Sequence, residues 1–163
     1  MIKSTIAALV LLFFVTVGEA QVANIGDLRL KIELPDANGK KIALSSLKGK
    51  VVLLDFWASW CMPCRSANKQ LVKLYAKYKA KGFEIYSVSV DEDRNDWLKA
   101  VRKDKITWLQ VNDPANLEAD AIQRWQVNAL PTVFLINKKG DVVAIDLEGK
   151  ELDNEVARLL AEQ

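Results

Sequence analysis

Apolar residues recur with different periods along the chain, and these periods predict strands and helices. Residues Val51–Trp57 form an apolar run broken only by Asp55, which is typical of a strand covered on both faces. The next stretch, Arg65–Lys81, carries apolar residues at helical spacing and meets Gly82, a residue that favours helix termination. Phe83–Val90 then alternates as a second strand. The middle of the chain therefore predicts a β-α-β succession.

Two pairs of apolar segments are separated by turn residues and predict β-hairpins. The turns are Pro35-Asp36-Ala37-Asn38-Gly39 and Asn137-Lys138-Lys139-Gly140, both rich in residues that reverse the chain. The paired segments are Lys31–Leu34 with Lys40–Leu44, and Thr132–Ile136 with Val142–Leu147.

Shorter patterns account for the rest of the chain. They predict a short helix around Trp97, Leu98 and Val101, a brief strand at Trp108–Val111, a helix at Leu117–Trp125, and a last helix with Leu152, Val156, Leu159 and Leu160 on its apolar face. Because strands alternate with helices early and a hairpin comes late, we expect an α/β fold whose mixed central sheet is flanked by helices.

The N-terminal residues have the pattern of an export signal. Lys3 supplies a positive charge, and Ile6–Val17 is a 12-residue apolar run. Gly18 and Ala20 then place small residues before a cleavage position ahead of Gln21. The alternative is an uncleaved membrane anchor, but the apolar run is shorter than the roughly 20 residues that cross a bilayer.

We therefore expect a signal peptide at residues 1–20 and one domain at residues 21–163, with no linker or repeat inside it. Export would place the domain in the periplasm or on the outer face of the cytoplasmic membrane, where disulfides persist.

Composition removes several classes of function. The 163 residues include no histidine, which excludes Ser/His/Asp and Cys/His catalysis and histidine-based zinc sites. The formal net charge of +2 gives no strong field for nucleic acid. The two cysteines, Cys61 and Cys64, are too few for a disulfide-stapled scaffold and leave the pair as the main chemical feature. No metal or cofactor is expected.

The sequence Trp60-Cys61-Met62-Pro63-Cys64 lies between the buried strand and the first long helix. A helix N-terminus carries unpaired N–H groups and partial positive charge, which stabilise a thiolate. We expect Cys61 at the N-cap as the exposed thiolate of low pKa that attacks a disulfide. Cys64, three residues on and turned inward, would resolve the resulting mixed disulfide. Pro63 suits the first helical turn, where its missing N–H costs nothing.

Three other interpretations of the pair remain open at this point. A structural staple would stabilise the fold by about 2 kcal/mol in the chain-entropy model, because the loop it closes is short. A structural zinc site needs four ligands, and the two cysteines supply only half. The pair could also remain as two inert thiols.

Several segments carry a family resemblance. They are Val51–Arg65, Lys48-Gly49-Lys50, Leu130-Pro131-Thr132, the N-terminal hairpin, and a helix-and-strand insertion at about Asp93–Val111 that plain thioredoxins lack. Together they resemble the TlpA/ResA-type exported thiol–disulfide oxidoreductases of the thioredoxin-like superfamily, over nearly all of Ile25–Gln163. The resemblance implies a thioredoxin fold and dithiol–disulfide exchange with protein substrates.

The resemblance also implies roles for individual residues. Pro131 would form a cis peptide bond facing the dithiol, and Leu130 would offer main-chain groups to an extended substrate. Asp55, six residues before Cys61, would be a buried acid of raised pKa that accepts a proton from Cys64. Its alternative role is purely structural, as a carboxylate satisfied by neighbouring backbone or a lysine. The remaining residues expected to contact substrate are Trp60, Met62, Pro63 and Thr132.

One departure from the family limits what can be transferred. Many TlpA/ResA-type proteins carry a glutamate in the first helix shortly after the second cysteine, where this chain has Ala67. A role in cytochrome maturation therefore does not follow. The family and Met62-Pro63 indicate a reductase, recharged by a membrane donor of the DsbD/CcdA class. The alternatives are an oxidase or isomerase, or a thioredoxin-like binding module whose disulfide is not turned over.

Overall fold

The computed structural model describes residues 23–162, so the predicted signal peptide lies outside the described residues. Its strands are β1 (Glu33–Pro35), β2 (Lys41–Ala43), β3 (Val51–Trp57), β4 (Phe83–Ser89), β5 (Leu109–Asn112), β6 (Thr132–Ile136) and β7 (Val142–Ile145). Its α-helices are α1 (Met62–Tyr78), α2 (Arg94–Lys103), α3 (Asp120–Arg124) and α4 (Gly149–Ala161). Within the described range, no helix is both long and apolar enough to cross a membrane.

The main sheet has five strands in the order β5-β4-β3-β6-β7. Strands β3, β4 and β5 are parallel, whereas β6 runs antiparallel to β3 and β7 runs antiparallel to β6. Strands β1 and β2 form the separate N-terminal hairpin. The predicted α/β fold with a mixed central sheet is thus confirmed, and β3 lies at its centre.

The predicted alternation of Phe83–Val90 is wrong, because every residue of β4 is buried. The polar residues that suggested an exposed face have partners inside the protein. Ser87 donates to Asp55 and Ser89 donates to Asp91, while Glu84 forms an ion pair with Lys50. β4 is therefore covered on both faces, as β3 is.

Helix α1 begins at Met62 with Cys61 as its N-cap, as the motif predicts, which is three residues before the apolar spacing that starts at Arg65. Its buried residues include Leu71, Leu74 and Tyr78, which pack on the core. A short 3-10 turn follows, and Gly82 ends it with a φ of 96°, as the glycine predicts.

The predicted helix Leu117–Trp125 is interrupted. A 3-10 turn at Asn116–Glu118 is separated from α3 by Ala119, whose ψ of 139° is extended rather than helical. The segment between β4 and α3 contains α2 and β5, which agrees with the helix-and-strand insertion. In α4, Leu152, Val156 and Leu159 are buried as predicted.

Candidate active site

Cys61 and Cys64 form a disulfide at the start of α1, directly after the loop that follows the central strand β3. The sulfur atoms are 2.03 Å apart and the Cα atoms are 5.3 Å apart. Cys61 is the N-cap of α1, and its Sγ accepts a hydrogen bond of 3.2 Å from the Cys64 N–H. The helix N-terminus is therefore directed at Cys61, as the sequence predicts.

The surroundings of the two sulfurs differ in exposure. Cys61 is 6% exposed and Cys64 only 1%, so the residue predicted to attack is the less buried of the two. Both cysteines are therefore buried in the oxidised protein, and the prediction that Cys61 is exposed is wrong for this state, because the loop before α1 and the surrounding core cover its side chain. The exposed apolar surface comes from their neighbours, since Trp60 is 53% and Met62 is 73% exposed.

The Leu130–Pro131 peptide bond is cis, as predicted, and comes directly before β6. Thr132 pairs with Phe56 of β3, and the next residue, Val133, pairs with Asp55. The Thr132 hydroxyl donates to the Ala129 carbonyl at 2.8 Å, which ties the turn before the strand.

Pro131 and Pro63 line one groove, so the structure brings the cis proline and the cysteine motif together. The groove has a volume of about 910 Å³ and lies between α1, β6 and the start of α4. Its apolar lining residues include Leu71, Leu74, Val133, Leu147 and Leu152. At its far end Lys77 of α1 forms an ion pair with Asp153 of α4, with atoms 2.8 Å apart.

Asp55 is a buried acid, as the sequence predicts, with 3% of its surface exposed. Burial raises the pKa of its carboxyl group to about 6, while a hydrogen bond of 2.7 Å from the Ser87 hydroxyl acts in the opposite direction. The Trp108 indole donates to the same hydroxyl at 2.7 Å. A serine, not a lysine, thus satisfies this carboxylate, which can exchange a proton near neutral pH.

The sequence reasoning missed a polar network beside the motif. Asp91 accepts hydrogen bonds from Ser59, and Arg65 links the Ser59 carbonyl to Asp104. One signal was available for Asp91, because it follows β4 at the same sheet edge where the motif follows β3. Within residues 23–162, no group of three or more Cys, Asp or Glu side chains is placed to hold a metal ion.

Comparison with known proteins identifies the family to which the chain belongs. Residues 25–145 match the model of the AhpC/TSA family. The chain is 38% identical over 117 residues to the thiol-disulfide oxidoreductase ResA of Bacillus subtilis (strain 168), covering 69% of this chain and 61% of the relative. It is 35% identical over 127 residues to ResA of Bacillus thuringiensis subsp. konkukian, covering 77% of this chain and 70% of that relative. The chain thus spans only about six tenths of the length of the Bacillus subtilis protein.

Solved structures match more completely. The thioredoxin domain of a thiol-disulfide oxidoreductase from Bacteroides vulgatus has a TM-score of 0.77 and 35% identity, covering 86% of this chain and 99% of that one. A thiol:disulfide interchange protein from Bacteroides sp. has a TM-score of 0.73 and 35% identity, covering 81% and 87%.

Proposed function

Because the chain belongs to the AhpC/TSA family of thioredoxin-like proteins and is of the TlpA/ResA-like type, we propose that it exchanges thiols and disulfides with protein substrates. The observation on which this depends is the cysteine pair at the start of α1. Cys61 is the N-cap of that helix, and the cis Pro131 lines the same groove as Pro63. A staple or a pair of inert thiols needs neither arrangement.

The first step is attack by the Cys61 thiolate on a substrate disulfide. A bond forms between the Cys61 Sγ and one substrate sulfur, and the substrate S–S bond breaks. The departing sulfur leaves as a thiolate and takes a proton from water. The N-terminal N–H groups of α1 favour the Cys61 thiolate before attack.

The second step uses Cys64. Its thiol loses a proton to Asp55, whose raised pKa suits it to accept one near neutral pH. The Cys64 sulfur then attacks the Cys61 Sγ, the mixed disulfide breaks, and the second substrate sulfur leaves as a thiolate that takes a proton from Asp55 or from water. The Cys61–Cys64 disulfide forms as the substrate gains two electrons.

The substrate surface is the apolar rim around Cys61 and the groove beside it. Trp60 and Met62 are exposed, and their flat or flexible side chains suit contact with a polypeptide. Pro131 lines the groove together with Pro63, and Leu130 and Thr132 flank Pro131. The groove continues from Pro63 and Pro131 along α1. Because it is continuous with the motif and apolar inside, we assign it to the polypeptide that flanks the substrate disulfide.

We propose that electrons flow toward the substrate outside the cytoplasmic membrane. The export pattern of residues 1–20 supports the location, and the family likeness together with Met62-Pro63 supports a reductase. Each turnover leaves the pair oxidised, so two electrons must return from another dithiol. A membrane thiol–disulfide donor of the DsbD/CcdA class would supply them.

Trapping tests the proposal directly. The Cys64→Ser variant lacks the resolving thiol, so substrates should accumulate as mixed disulfides on Cys61. These are separated from the exported fraction on non-reducing gels and identified by mass spectrometry. The control is Cys61→Ser, which should trap nothing.

The same pair of variants separates an enzyme from a binding module. If Cys64→Ser accumulates no mixed disulfide, and Cys61→Ser still binds its partners as well as the natural chain, the chain is a binding module. That result would overturn the exchange proposal.

A further inference from the structure

Ser59, two residues before Cys61, is held through three of its polar atoms. Its N–H donates to the Asp91 carboxylate at 2.9 Å, and its hydroxyl donates to the same group at 2.6 Å. Its carbonyl oxygen accepts a hydrogen bond of 3.1 Å from Arg65. The loop between β3 and α1 is therefore fixed from both sides immediately before the reactive cysteine.

On one side, Asp91 is fixed to the sheet. It is 2% exposed and follows β4. The Ser89 hydroxyl donates to its carboxylate at 2.8 Å, and the Asn112 side-chain amide donates to its carbonyl oxygen at 2.9 Å. Ser89 belongs to β4 and Asn112 to β5. Ser59 is therefore held in a fixed position relative to these two strands through its hydrogen bonds to Asp91.

On the other side, Arg65 is fixed to the end of α2. Its guanidinium forms two hydrogen bonds with the Asp104 carboxylate, through Nε and through Nη2, the latter at 2.7 Å. Asn68 donates a third to that carboxylate at 3.1 Å. Burial opposes ionisation of Asp104, but the hydrogen bonds from Arg65 and Asn68 and the nearby positive charge outweigh it and lower the pKa.

Asp104 is itself held in place by α2. It is the C-cap of that helix, and its N–H donates to the Ala100 carbonyl at 2.9 Å. Trp97 and Ala100 are the buried residues that pack α2 on the core. A continuous path of contacts thus leads from the inserted helix to the backbone of Ser59.

We infer that Asp104, Arg65 and Asp91, here named the loop clamp, are positioning residues that keep Cys61 at the N-cap of α1 through Ser59. The Arg65 backbone N–H also donates to the Cys61 carbonyl at 3.1 Å, but this is the ordinary first hydrogen bond of α1, which substitution of the side chain leaves in place. A helix N-terminus stabilises a thiolate only within its first turn, so release of this loop would weaken that stabilisation. The inference rests on the proposed function and assigns α2 a part in setting the reactivity of the dithiol.

Direct charge effects can be separated from positioning. Arg65 is positive and Asp104 negative, so removing either charge alone would move the pKa of a nearby thiol in opposite directions. Loss of the clamp would raise the pKa of Cys61 in both cases. The other ionisable groups on the elements that meet at the motif include Asp91 after β4, Asp55 on β3 and Lys69 and Lys73 on α1, and none of them is changed.

The experiment compares Asp104→Asn and Arg65→Gln in a Cys64→Ser background, where Cys61 is the single remaining thiol. Thiolate absorbance in the ultraviolet against pH gives the pKa of Cys61, and the rate with a small aromatic disulfide gives its reactivity. Both variants should raise that pKa by half a unit or more, which lowers the thiolate fraction about threefold at a pH below the pKa. Arg65→Lys, which keeps the charge without the forked geometry, should shift it in the same direction.

The control is Val156→Ala, which loosens the buried face of α4 and should lower the melting temperature without moving the Cys61 pKa. Opposite shifts in the two charge variants would show a charge effect alone and overturn the inference. So would an unchanged pKa accompanied by a lower melting temperature, since that is a purely structural role. An otherwise natural chain with both cysteines that performs no exchange would overturn the proposed function, and the inference with it.

Discussion

The carboxyl group of Asp55 lies inside the central sheet, and this makes the folded state sensitive to pH. Its pKa rises from 3.8 to about 6 because burial disfavours the charged form. Between these values the folded chain binds more protons at Asp55 than the unfolded chain does. Protonated Asp55 therefore keeps the free energy of unfolding high at acidic pH. That free energy falls as the pH rises toward about 6 and the folded state has to bury a charged carboxylate.

We expect Asp55→Asn to remove this pH-dependent loss. The shift of about two pKa units corresponds to about 3 kcal/mol, so the variant should gain up to that much stability over the natural chain at pH 8 and far less at pH 4. Urea unfolding of the oxidised proteins at both pH values measures the difference. Ser87→Ala should increase the loss instead, because it removes the hydroxyl that favours the ionised carboxylate. Identical pH profiles for the natural chain and Asp55→Asn would contradict this account.

Single residues differ in how well the sequence reveals them. Cys61, Cys64 and Asp55 could be found because each stands at a recognisable place in a strand-to-helix pattern. The loop clamp could not. Asp104 and Arg65 are 39 residues apart, and their contact exists only because α2 ends beside the start of α1. Nothing periodic marks such a pair.

At the scale of elements, α1 both presents Cys61 and forms one wall of the groove. Ala67, Leu71 and Leu74 follow one another at helical spacing along that wall. The bounds of β3 could be predicted to the residue, because its apolar run is broken only by Asp55. Apolar periodicity alone could not locate the start of α1, since its first turn contains the motif, but the cysteine motif placed Cys61 at the N-cap as observed.

A larger side chain at Ala67 should obstruct the groove without touching the sulfurs. We expect Ala67→Phe to slow exchange with a protein disulfide about tenfold, equivalent to about 1.4 kcal/mol, and to leave the rate with a small disulfide almost unchanged. Stopped-flow tryptophan fluorescence with both substrates tests this. The matched control is Ala76→Phe, an exposed position of α1 that does not line the groove. Equal losses for both substrates would argue against the groove as a binding surface.

At the scale of the whole molecule, the direction of exchange depends on the difference in free energy between the oxidised and reduced proteins. The helix N-terminus stabilises the reduced thiolate, which raises the reduction potential, whereas the burial that raises the pKa of Asp55 also disfavours negative charge in that part of the interior. The sequence and the fold identify dithiol–disulfide exchange as the chemistry but do not predict its direction. The direction depends on a small difference between the large free energies of the oxidised and reduced proteins.

If the chain is a reductase, its reduction potential should lie near that of thioredoxin, about −270 mV. Equilibration with dithiothreitol buffers, followed by counting free thiols by mass spectrometry, gives the value. A potential near that of the oxidant DsbA, about −120 mV, would instead make the chain an oxidase.

The reactive loop leaves the middle strand of the sheet, with β4 and β6 hydrogen-bonded on either side. Because every residue of β3 is buried, that loop cannot shift without disturbing the interior. In the proposed exchange the chain would then act as a fixed template, and the conformational change that brings two sulfur atoms together would have to occur in the substrate. Disulfides in unfolded or loosely folded chains would then be exchanged quickly, whereas a disulfide inside a rigid native domain would remain intact.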